Sequence, residues 1–75
     1  MDFDRQMEVY QYADRKARFL YNEGYRTTYN GKLTKQLRAI INNYCKKDGF
    51  HGIEVQMISL RIAIVMTDIE TNLYR

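Results

Sequence analysis

Cys45, Asp48, His51 and Glu54 fall within ten positions of one another. A thiol, an imidazole and a carboxylate to orient it are the groups from which nucleophilic catalysis is built. Two features weigh against that use. Cys45 falls at the edge of a helical apolar stripe, where a cysteine behaves as a small packing residue. A chain of 75 residues also has little material to enclose a substrate pocket of roughly several hundred Å³. His51, flanked by Phe50 and Gly52, reads as a loop residue. The glycines are scattered at 24, 31, 49 and 52, which is no phosphate-cradling motif. The carboxylates of Asp2/Asp4 and Asp68/Glu70 are spaced to point different ways. One cysteine and one histidine are too few for a four-ligand zinc site. The expectation is a protein that is not an enzyme and carries no metal or cofactor.

Three apolar periodicities organise these residues. The spacing predicts an all-α fold of three helices, at about 2–23, 32–47 and 53–74, in a single domain over 1–75. Asp2 or Asp4 suits the first start and Gly24 the first stop. Asn30-Gly31 marks a turn, and Asp48-Gly49 closes the second helix. Links this short make consecutive helices antiparallel neighbours. The first helix places Phe3, Met7, Tyr10, Ala17 and Tyr21 on one face, widened by Val9, Ala13 and Leu20. Tyr12 and Phe19 lie opposite, near Arg15. Exposed aromatics beside an arginine are interface anchors, so Tyr12, Phe19 and Arg15 form the candidate partner-binding patch. The second helix carries Leu33, Leu37, Ile40, Ile41 and Tyr44 on its apolar stripe.

The third segment is the most informative. Between Ile53 and Leu73 no Gly or Pro intervenes. Wound at about 100° per residue, it has two apolar faces. One holds Ile53, Met57, Leu60 and Ile64; the other holds Val55, Ile58, Ile62, Val65, Met66, Ile69 and Leu73. A surface helix needs one such stripe. Two stripes require cover on both sides, from this chain or another. The rival reading is α+β, with 55–66 as a strand paired to Tyr25–Tyr29, since Ile58, Leu60, Ile62 and Ile64 also alternate. Strands seldom exceed about ten residues, and a lone pair is barely stable; the helix is preferred.

Charge is uneven. The net charge is +3, yet residues 24–52 alone hold six basic side chains and one acidic. A basic stripe fits a nucleic acid or an acidic protein surface. The cations available are Arg26, Lys35, Arg38, Lys46 and Lys47.

A short domain needs a staple, and without a disulfide or a metal the remaining one is association. A homo-oligomer, most simply a dimer, is expected, or docking on another protein. The N-terminal residues lack the pattern of a signal peptide, and the longest apolar run, Ile62–Met66, is far short of the roughly 20 residues of a membrane span. A cytoplasmic protein with no membrane contact follows. The chain is Tyr-, Asn- and Ile-rich without Pro or Trp, the look of a small phage or mobile-element protein. The expected function is a non-enzymatic interaction module, a regulator or inhibitor docking on a larger protein. The alternative is a small nucleic-acid binder using the 26–47 basic face.

Overall fold

Three helices form where the apolar periodicity runs unbroken: α1 (Phe3–Asn22), α2 (Lys35–Lys47) and α3 (Ile53–Leu73). The computed structural model describes residues 2–73, so the expected helix end at residue 74 and the side chain of Leu73 lie outside the described set. Among the described residues there is no strand. The rival strand over 55–66 is thus corrected: the whole segment lies inside α3, and Tyr25–Thr28 is irregular. A run of apolar residues with no breaker satisfies its backbone along its own axis.

Capping sets the helix starts. The Asp2 carboxylate accepts the Arg5 N–H at 2.8 Å, and the Thr34 hydroxyl accepts the Leu37 N–H at 3.1 Å. Thr34 therefore moves the start of α2 from the expected residue 32 to Lys35, leaving Lys32 and Leu33 in the loop. The first two helices end alike. Tyr25 N–H donates to Leu20 C=O at 3.0 Å, and Phe50 N–H to Cys45 C=O at 2.8 Å, the bonding that closes a helix through a glycine.

Three cross-links order α1 and α3. Arg5 meets Glu54, Asp14 meets Arg61, and Thr27, just past α1, meets Glu70. Both helices therefore run the same way, side by side. α2 runs back the other way against both, with Tyr44 against Phe19 and Asp48 against Tyr12. α1 and α3 share the dominant contact, and α2 packs more loosely on α3. The core takes Val9, Tyr12, Ala13, Ala17 and Leu20 from α1, Leu37, Ile41 and Cys45 from α2, and Ile58, Ile62 and Met66 from α3. Leu33 and Phe50 close it from the links. Each fully buried Leu, Ile or Met side chain contributes about 1.5–3 kcal/mol. Ala13 and Ala17, one turn apart and fully buried, let the two long helices approach closely.

The buried face of α1 is rotated from the expected one. Val9, Ala13, Ala17 and Leu20 are inside as expected, but Phe3 and Met7 are exposed and Tyr12 is inside. The tyrosine ring packs 4.4 Å from the Phe50 ring, centroid to centroid. Its polar tip reaches the edge of the core, where Asp48 accepts its proton at 2.6 Å. An aromatic with a wet end serves both environments.

Candidate interaction surfaces

The four residues with catalytic side chains do not converge. Cys45 is fully buried, and burial pushes its thiol up to about 11, which disfavours the thiolate nucleophile. Asp48 is held by Tyr12 and lies 4.0 Å from the Lys16 ammonium. The Glu54 carboxylate takes two hydrogen bonds from Arg5, from Nε at 2.6 Å and Nη2 at 2.8 Å. Those bonds hold its carboxyl below the usual range. His51 is exposed. Among the described residues, no group of three or more His, Cys, Asp or Glu side chains is placed to hold a metal ion.

The candidate patch of Tyr12, Phe19 and Arg15 is not assembled as a surface. Tyr12 is only 7% exposed. Phe19 is 41% exposed, but its ring meets Tyr44 edge-on at 6.1 Å. Lys16 fills the space between them. Its ammonium stands 4.3 Å from the Tyr44 ring centre, 5.5 Å from Phe19 and 5.6 Å from Tyr12. The chain's own cation occupies the aromatic faces that a partner arginine or lysine would seek. Arg15 and part of the Phe19 ring stay in the open.

The basic side chains divide into two sets. Arg26 lies over the Tyr21 ring at 3.7 Å and donates to the carbonyls of Tyr21 and Tyr25. It serves the C-terminal end of α1, where a cation is favourable. Lys35, Arg38, Lys46 and Lys47 are exposed on α2. The described ion pairs join Arg5, Lys16 and Arg61 to Glu8, Glu54, Asp48 and Asp14. None of the four α2 cations takes part. Lys46 and Lys47 also sit in the last turn of α2, where the helix dipole favours them.

Loose packing between α2 and α3 leaves a groove of about 360 Å³. Lys32, Arg38 and Asn42 line one wall, Gln56, Ser59 and Leu60 the other. The loop that closes its upper end is firmly tied. The Glu70 carboxylate accepts from the Thr27 N–H at 3.1 Å and hydroxyl at 2.7 Å. Tyr29 stands fully exposed at the tip.

The surface missed as a site is the outer face of α3. Ile53 is 64% exposed, Leu60 67% and Ile64 50%; Met57, between them, is half-buried on the core. Of the two apolar faces read from the sequence, the chain covers the one with Ile58, Ile62 and Met66 and leaves this one open. The signal that marked it was already present: residues 53, 57, 60 and 64 follow the alternating four- and three-residue steps of a helix–helix seam. Phe3 and Met7, at the α1 end that Arg5 ties to Glu54, are exposed as well.

Comparison with protein-family models, curated protein sequences and solved structures gives no match. No helix among the described residues is long and apolar enough to cross a membrane.

Proposed function

We propose that this chain acts by binding another protein rather than by catalysis, through the outer face of α3. The observation that carries the reading is the row Ile53, Leu60, Ile64 left open to water on a helix whose opposite face buries Ile58, Ile62 and Met66. Contiguous exposed apolar side chains of this size mark a contact surface. The row is rimmed by polar and charged groups, Glu54, Arg61 and Gln56, the arrangement of an apolar centre with a polar border. A photo-cross-linking side chain at position 60, compared with one at exposed Gln36 on α2, tests it in cells making the chain. A discrete protein product from position 60 that is absent from position 36 is expected. No product, or equal labelling at both positions, overturns the reading.

A second reading uses α2. It is favoured by the absence of any carboxylate partner, among the described residues, for Lys35, Arg38, Lys46 and Lys47. Unpaired cations on one helix are free to neutralise phosphates. Four such contacts on duplex DNA give a log–log salt slope of about −3.6, so affinity falls roughly 100-fold between 50 and 200 mM salt. A mobility shift at those two concentrations measures it, and no shift at the lower one removes nucleic acid as the ligand.

A further inference from the structure

The α3 row has a symmetry of its own. Its members are separated by four, three and four residues, Ile53, Met57, Leu60, Ile64. Read backwards, the spacing is unchanged. We propose that the partner seated on this row is a second copy of the chain, its α3 antiparallel to the first about a two-fold axis between Met57 and Leu60. This rests on the reading that the α3 row is a protein-contact surface. A two-fold contact must be self-complementary, and reversal sets Ile53 beside the partner's Ile64 and Met57 beside the partner's Leu60. Each apolar side chain thereby meets another.

The charges agree with the register. In an antiparallel helix pair each flank meets its own equivalent. One flank of the row carries Glu54 and Arg61, and reversal brings Glu54 alongside the partner's Arg61. Within the chain, Arg61 already binds Asp14 at 2.9 Å and Glu54 binds Arg5 at 2.6 Å. Across the contact the order becomes Asp14, Arg61, the partner's Glu54, the partner's Arg5, with alternating sign throughout. The other flank carries Gln56 and Ala63, which bring no like charges together. On that flank Lys32 and Arg38 line the groove shared with Gln56 and Leu60, so they border the contact, while Lys35, Lys46 and Lys47 do not line that groove.

Ile53, Leu60 and Ile64, at 64%, 67% and 50% exposure, present on the order of 300 Å² of apolar surface per copy, the size of a functional patch on a small protein. A standard specific interface buries about 800 Å² per partner, so the expected pair is a small contact with an apolar centre. Only two heptads are apolar, because Thr67 and Thr71 follow at the next seam positions. That length is short of the three or four heptads of an extended coiled coil and matches a compact pair.

Light scattering on the purified full chain tests association, and engineered thiols test direction. The expected mass is twice 9.0 kDa, falling to that of one chain in Leu60→Glu with the helical circular dichroism retained. Ile53→Cys and Ile64→Cys, each oxidised alone, are expected to give little disulfide dimer. Mixed, they are expected to cross-link. Cys45 is buried and does not enter the exchange. A single-chain mass at high concentration overturns the proposal, as does a dimer that survives Leu60→Glu. Cross-linking of Ile53→Cys with itself rejects the antiparallel register. If the chain is monomeric in solution and position 60 labels a different protein in cells, the second copy is wrong while the contact surface stands.

Discussion

Tyr12 joins the core to the surface. Its ring is packed against Phe50 while its hydroxyl is bound to Asp48. Tyr12→Phe keeps the ring and loses the bond, which costs about 1–2 kcal/mol, readable as a lower urea midpoint. Burial, then the Asp48 bond, pushes the phenol well above its usual range, and burial pushes the Cys45 thiol from 9.0 up to about 11. Groups raised in the folded state stabilise it fully below their ordinary pKa values and lose that contribution as pH rises through the folded ones. The urea midpoint is therefore expected to fall between pH 8 and pH 10.5, less steeply in Tyr12→Phe. Glu54 works in the opposite direction. Arg5 holds its carboxyl low, so its contribution is present above the ordinary carboxylate value and disappears as pH falls through the depressed one. A midpoint that drops between pH 6 and pH 3, and drops less in Glu54→Gln, is the expected outcome. Gly31 is constrained twice: its φ is +76°, and a Cβ there would stand 3.1 Å from the Thr67 hydroxyl. Gly31→Ala is expected to cost about 1–2 kcal/mol from the left-handed backbone alone, and the crowding against Thr67 adds to it. Thermal melting measures the sum.

Among the elements, α3 has one packed face and one open face, and two isoleucines two positions apart measure the contrast. Ile62→Ala empties a fully buried site and is expected to cost about 2–5 kcal/mol. Ile64→Ala changes a half-exposed one and is expected to fall within about 0.5 kcal/mol in dilute solution. Equal losses in denaturant titrations would contradict the orientation of the helix. The helices themselves were legible in the sequence, because Gly24, Asn30-Gly31 and Asp48-Gly49 punctuate three runs of apolar period. The two faces of α3 were legible for the same reason. The rotation of α1 was not. Counting apolar residues put Phe3 and Met7 inside, but the choice was made by Ala13 and Ala17, whose small size lets α3 close in on that side. Tyr12 was misplaced because its class is ambiguous: it is apolar enough to bury and polar enough to expose. Lys16 gave no warning in the sequence. Its role between three rings depends on Tyr44, which arrives from another helix.

At the scale of the molecule, the carboxylates and the cations are sorted. Acids on α1 and α3 bind the cations of those same helices, and Asp48 beyond α2 faces Lys16. The α2 cations are left to solvent. The excess of positive charge seen between residues 24 and 52 therefore survives folding as a field on one side. What the sequence did not reveal was how little of the patch around Tyr12 would remain available. That depended on contacts between residues 36 positions apart.

The parallel course of α1 and α3 has a consequence for how the chain is made. Chain growth delivers α1 first, yet its main partner begins only at Ile53, on the order of 30 residues and a few seconds of ribosomal synthesis later. Most of a helix's stability in a protein comes from packing its apolar face rather than from propensity, and α2 gives α1 only part of that cover in the meantime. Until the last helix emerges, the core lacks Ile58, Ile62 and Met66. The core can therefore be completed only after α3 has been added to the chain.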